Sequence, residues 1–135
     1  MKVWSILASD DNNWSIRVKT VLLVDDSRIS RLMLKAIVQN KYPEWTILEA
    51  ENARVALEVA KESTPDVITL DMNMPGRDGL TIAPELQESC PKAHIALLTG
   101  NVQERIKTKA SEQGLTYIAK PITEDKVLDY LESIA

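Results

Sequence analysis

Three aspartates, one threonine and one lysine stand where short apolar runs of the chain end. Asp25 and Asp26 follow Val21 to Val24. Asp71 closes the run from Val67, Thr99 closes the run from Ile95, and Lys120 follows Leu115 to Ala119. Three carboxylates at one place repel one another by several kcal/mol at intermediate dielectric, so something positive must offset them. An all-oxygen set with no Cys or His beside it suits a hard cation, Mg²⁺ before Zn²⁺. Mg²⁺ held by a few carboxylates keeps waters and typically engages a phosphate. A cation, an ammonium and a hydroxyl around a carboxylate make a phosphoryl-transfer site, where catalysis is mostly positioning and charge neutralisation. A carboxylate can itself be the acceptor, giving an aspartyl phosphate. Spacing alone does not choose among the three aspartates.

Each of these residues has an ordinary reading when taken singly. Asp26 could simply cap a helix. Thr99 could be a strand residue, and Lys120 a solvated surface lysine. Their coincidence is what points to chemistry, and that coincidence depends on the elements that carry them.

Five apolar runs read as strands: Val21 to Asp25, Thr46 to Ala50, Val67 to Asp71, Ile95 to Thr99 and Leu115 to Ala119. Three are nearly continuous in hydrophobicity, as in strands buried on both faces. Helical spacing fills the intervals. Ile29, Leu32, Met33, Ala36 and Ile37 share one stripe; Val55, Ala56, Val59 and Ala60 share a second; Val127, Leu128, Leu131 and Ile134 share a third. Ser27 and Asn52 suit the starts of the first two helices. Asn101 with Glu104 resembles a capping box for the fourth, which runs from Val102 to Gln113, with Gly114 at its end. Thr123 with Glu124 and Asp125 suits the start of the fifth. Met72 to Gly79 reads as a loop. Pro84 lacks an N–H and is tolerated in a first turn, which predicts that the third helix begins near Ile82. Strands and helices in this alternation predict an α/β fold: a doubly wound parallel sheet with helices on both faces. It is neither a repeat array nor a closed eight-stranded barrel. In such sheets ligands bind beyond the carboxyl ends of the strands. Four of the five strands deliver a polar or charged residue to that rim; the second delivers only Ala50.

The chain has 135 residues, room for one domain. Residues 1–19, with Trp4 and Trp14, fall outside the alternating pattern and are expected to be an extension, either a loose tail or a docking segment. Residues 20–135 are expected to form the domain. A hydrophobic share of 44%, a charged share of 27% and a net charge of −4 describe a soluble protein and argue against direct nucleic-acid binding. No apolar run approaches the ~20 residues that span a bilayer, and the segment from Met1 to Ser9 is too short for a signal peptide. With one cysteine, Cys90, no internal disulfide can form. A cytoplasmic location without membrane attachment is the expectation. Cys90, just before Pro91, reads as structural. His94 has no second histidine to help it, so the chain is not expected to carry its own phosphohistidine relay.

Four blocks carry a family resemblance. Val24 to Ser27, Leu70 to Gly79, Leu97 to Gly100 and Ala119 to Ile122 resemble the signature segments of response-regulator receiver domains in two-component signalling, chemotaxis receivers among them. The resemblance covers about residues 19–135. It implies a five-stranded sheet of order 2-1-3-4-5 in a flavodoxin-like doubly wound fold. It implies that Asp71 is the phosphoacceptor, and that Asp25, Asp26, Asp71 and the Asn73 carbonyl hold Mg²⁺. Thr99 would bond one phosphoryl oxygen and Lys120 another, and the Lys120–Pro121 peptide would be cis. Tyr117 would be the aromatic that swings inward when Thr99 moves. Asn73 and Asn101 would tune how fast water removes the phosphoryl group; neither is acidic, so no carboxylate acts on that water. Gly100, being small, would leave the group accessible. The implied partners are a sensor histidine kinase and an output protein on the face of the fourth helix, fifth strand and fifth helix. The resemblance also allows a phosphatase and a phosphorylation-dependent homodimer. The product is then a changed protein contact, made by a switch that is not a turnover enzyme. The thinly apolar fourth helix, with Val102, Ile106 and Ala110, is the expected movable element.

Three other readings fit less well. A phosphohydrolase of the haloacid-dehalogenase type should end its first strand Asp-x-Asp, whereas this one reads Asp25, Asp26, Ser27, Arg28. A degenerate receiver acting only as an interaction module would lack site residues that are present here. Flavodoxin-like cofactor binding would need a hydroxyl-rich phosphate loop after the first strand.

Overall fold

A computed structural model describes residues 18–100 and 103–134. Asn101 and Val102, and the segment with Trp4 and Trp14, lie outside the described residues. Five strands and five helices alternate through the described chain. They are β1 (Thr20–Val24), α1 (Arg28–Lys41), β2 (Thr46–Ala50), α2 (Ala53–Ser63), β3 (Val67–Asp71), α3 (Gly79–Ser89), β4 (His94–Thr99), α4 (Glu104–Glu112), β5 (Thr116–Ala119) and α5 (Glu124–Ser133).

All pairings among these strands are parallel, in the order β2-β1-β3-β4-β5. Strand pleating explains the unbroken hydrophobicity of the central runs, because successive side chains serve opposite faces. Leu22, Val24, Ile68, Leu70, Ile95 and Leu97 join one core with Ala56, Ala60, Ile82, Leu86, Ile106 and Ala110, so α2, α3 and α4 cover that face. Val21, Leu23, Val67, Ala96, Leu98 and Ile118 join the other with Leu34, Val38, Val127, Tyr130 and Leu131, so α1 and α5 cover it. The order and the two-sided cover agree with the expected fold.

Local signals hold at most helix ends. Ser27, Asn52 and Thr123 cap α1, α2 and α5 through side-chain oxygens that accept from Ser30, Val55 and Lys126 amides. Gly114 ends the α4 region at φ 77°, a left-handed conformation that glycine adopts without steric cost.

Three expectations need correction. The stripe Ile29, Leu32, Met33 and Ala36 does not face the core: Ile29 is 79% exposed, and the other three are also exposed. Helix α1 turns Leu34 and Val38 inward instead, with Ile37 half-buried. Two apolar stripes run along this helix, and periodicity alone could not say which one the sheet would take. The third helix begins at Gly79, not near Ile82, and Pro84 lies inside it. Asp78 sets that start by accepting from the Thr81 amide at 2.9 Å and the Thr81 hydroxyl at 2.8 Å. Pro84 removes only the bond its N–H would give to the Leu80 carbonyl, and it does so on an exposed face. Finally, α4 begins at Glu104 with Gln103 at the cap position, and no side chain makes a capping hydrogen bond there. The capping-box reading of Asn101 with Glu104 rests on Asn101, which lies outside the described residues.

Candidate functional site

The rim is built by where the strands stop. Strand β1 hands on to Asp25, whose amide donates to the Ala50 carbonyl at 3.0 Å, extending the ladder by one residue. Its carboxylate accepts from the Ser27 amide at 2.8 Å, and Ser27 in turn caps α1. Asp25 is therefore fixed from both sides and only 2% exposed, while Asp26, next in the chain, is exposed. Strand β3 ends on Asp71, also 2% exposed. The chain then pairs once more, with the Met72 amide donating to the Leu98 carbonyl at 2.9 Å.

Gly79 matters to this corner. A Cβ at that position would lie 2.7 Å from the Asp71 carbonyl oxygen and 2.8 Å from Leu97 Cδ1. Only glycine lets the start of α3 back onto the end of β3 this closely.

Asp25, Asp26 and Asp71 each offer a carboxylate oxygen, and these oxygens lie within 4.8 Å of one another. The Lys120 ammonium donates to Asp71 Oδ1 at 2.8 Å, and the Asn73 amide donates weakly to the same oxygen at 3.4 Å. Lys120 comes from the loop after β5, which the sheet grips through its amide bond to the Thr99 carbonyl at 2.9 Å. The Lys120–Pro121 peptide is cis. Lys126 of α5 braces this loop by donating to the Ala119 and Pro121 carbonyls, each at 2.9 Å. Thr99 is fully buried at the end of β4. A Cβ on Gly100 beside it would meet nothing within 4 Å, so the rim stays open there. Tyr117 is half-buried on β5 with the Lys107 ammonium 5.5 Å from its ring centroid, a cation–π distance.

The electrostatics follow the geometry. Burial pushes the Asp25 carboxyl above its ordinary range; the Ser27 amide opposes this, Asp71 adds to it, Lys120 opposes it and Asp26 adds to it. The donor set is entirely oxygen, crowded and negative, with room for a hard cation whose charge would relieve that crowding. Mg²⁺ fits these residues on chemical grounds.

The structure thus gathers Asp25, Asp26, Asp71 and Lys120 at one place, with Asn73 and buried Thr99 beside them and Tyr117 one strand away. Asn101 lies outside the described residues. His94 is exposed at the opposite end of β4 from Thr99. Cys90 is buried, its thiol near the Ala60 carbonyl at 3.4 Å, and burial raises its pKa. Sequence reasoning missed Gly79, Lys126 and the Arg31–Glu49 pair at this rim. Arg31 donates through Nη1 to the Asp25 carbonyl at 2.6 Å and through Nε to Glu49 Oε1 at 2.8 Å. The available signal was Glu49 itself, a charge inside an otherwise apolar strand.

Comparison with known proteins agrees with this geometry. The family model described as the response regulator receiver domain matches residues 21–132. The chemotaxis protein CheY of Halobacterium salinarum is 38% identical over 117 residues, covering 86% of this chain and 96% of that protein. CheY of Bacillus subtilis is 35% identical over 111 residues, covering 81% and 91%. Among solved structures, CheY4 of Vibrio cholerae superposes with a TM-score of 0.79 at 26% identity, covering 88% of this chain and all of that one. The CheX-CheY complex of Borrelia burgdorferi with BeF3 and Mg²⁺ includes a chain that superposes with a TM-score of 0.81 at 27% identity, covering 90% and 93%. With the family model spanning nearly the whole sheet and its rim, this chain belongs to the response-regulator receiver domain family.

Proposed function

We propose that the protein is a phosphorylation-activated signalling switch whose acceptor is Asp71. The observation that carries this reading is the Lys120 ammonium 2.8 Å from Asp71 Oδ1 inside a cluster of three carboxylates. Lys120 holds Oδ1, and Oδ2 attacks phosphorus. The donor's P–N bond breaks, its electron pair returns to the imidazole nitrogen of a histidine kinase, and a P–O bond forms at Asp71. Asp25, Asp26, Asp71 and the Asn73 carbonyl would hold Mg²⁺, which supplies neutralisation of phosphate charge when bound. Lys120 pairs with one phosphoryl oxygen, and the Thr99 hydroxyl donates to another. The complex of a relative with BeF3 and Mg²⁺ supports this assignment of cation and ligand class.

The group adds a charge of about −1.5 to −2 at the rim. Thr99 moves toward it, Tyr117 turns inward, and the α4–β5–α5 face changes. The output is a contact with a protein partner on that face, in keeping with the protein partner of the Borrelia relative. A phosphatase or a phosphorylation-dependent homodimer would act on the same state. Asn73 and Asn101, two residues past Asp71 and Thr99 in the sequence, tune how fast water removes the group. The switch unit is residues 20–135, with 1–19 as an extension. It takes up the group and loses it slowly, with no released metabolite.

Incubation with acetyl phosphate and Mg²⁺ should add one phosphoryl group to the intact mass, and chelation of Mg²⁺ should prevent it. Asp71→Asn should abolish uptake. Full uptake by that variant would overturn the choice of acceptor.

A further inference from the structure

We propose that Arg31 is a positioning residue for the cation-holding carboxylates, and that Glu49 holds Arg31 in place. The inference rests on the reading of Asp25 and Asp26 as metal-holding groups. The carbonyl that Arg31 Nη1 bonds at 2.6 Å belongs to the peptide joining Asp25 to Asp26. That bond sets the direction in which Asp26 leaves the strand. The other side of Asp25 is already fixed by its amide bond to Ala50 and by the Ser27 amide on its carboxylate. Arg31 supplies the remaining restraint.

Only a guanidinium can do this. Its Nε meets Glu49 Oε1 at 2.8 Å while Nη1 reaches the carbonyl, two bonds in one rigid plane. A lysine ammonium is a point donor on a flexible stem and does not hold both in fixed relation. The Arg31 side chain is 13% exposed, so it makes these bonds largely away from water, and Glu49 spans from the edge strand β2. Glu49 also answers an electrostatic problem. An uncompensated guanidinium next to three carboxylates would compete with a bound cation. Glu49, which also faces the Lys35 ammonium at 3.8 Å, offsets part of the Arg31 charge, so that Arg31 contributes chiefly geometry. The peptide is then ordered before the cation arrives, and groups that orient metal ligands from behind typically matter about 10–100-fold in affinity.

The sign of the effect distinguishes this role from a bystander charge. Removing a positive charge near the carboxylates should tighten cation binding if charge alone mattered. Removing the brace should weaken it. The test is calorimetric titration of the whole protein with Mg²⁺, beginning with the native sequence. No binding there would defeat the metal-site reading itself and is distinguishable from failure of this inference. Given binding, Arg31→Gln should weaken Mg²⁺ about tenfold and shift the amide resonances of residues 25–27 in the metal-free protein. Affinity equal to or tighter than native would overturn the proposal. If Arg31→Gln does not fold, Arg31→Lys decides. It keeps the charge, should weaken Mg²⁺ several-fold, and overturns the proposal if the affinity is unchanged.

Discussion

Asp25 is held charged at a cost. It is 2% exposed, burial raises its pKa, and the amide of Ser27 offsets only part of that. The penalty is fully present at pH above the raised value and is relieved as pH falls through it. Metal-free protein should therefore gain stability on mild acidification from neutral pH, until other paired carboxylates begin to protonate. Asp25→Asn keeps the oxygen that accepts from Ser27 and removes the charge. It should raise the neutral-pH melting temperature in the presence of chelator and remove the acid-side gain. A variant that melts below the native protein would show that the carboxylate stabilises the fold. The site residues themselves were legible because each is a polar residue closing an apolar run. Arg31 and Gly79 were not, since what they do depends on a carbonyl oxygen brought near by tertiary packing, and sequence spacing does not encode that approach.

The elements divide by how far local chemistry decides them. Strands β1, β3 and β4 were readable because a strand buried on both faces must be apolar throughout. Helix α1 was readable as a helix but not in its rotation. The expectation chose the stripe through Leu32 and Met33; the sheet took Leu34 and Val38, against Val21, Leu23 and Trp45. Leu34→Ala should cost about 2–5 kcal/mol in chemical denaturation, as buried leucines do. Leu32→Ala should stay within about 0.5 kcal/mol. Equal losses would contradict this orientation. Helix α3 began earlier than its proline suggested because Asp78 and the close approach at Gly79 outweigh one missing hydrogen bond. Helix α4 buries only Ile106 and Ala110 among its residues and, of the five described helices, is the one with no side-chain cap bond. Saturation with beryllofluoride and Mg²⁺ should shift amide resonances in α4, β5 and α5 more than in α2. Unchanged resonances there would remove α4 as the responding element.

At the scale of the whole molecule, the parallel sheet does one thing for function: it ends all five strands at the same rim, and four of them hand on a site residue there. The order β2-β1-β3-β4-β5 places β1 and β3 side by side, so Asp25, Asp26 and Asp71 converge. Strand β4 follows with Thr99, and β5 brings Lys120 back over Asp71. Alternation of strands and helices predicted such a rim, and the family resemblance supplied the strand order that the structure shows. Among the described residues no helix is long and apolar enough to cross a membrane. Of three carboxylates within 4.8 Å, the proposed switch uses Asp71 alone as the acceptor. The most direct measurement is borohydride trapping of the acyl phosphate after treatment with acetyl phosphate and Mg²⁺, followed by peptide mass mapping. A reduced residue is expected at Asp71 and none at Asp25 or Asp26. Reduction at either of those two, with Asp71 unmodified, would contradict it.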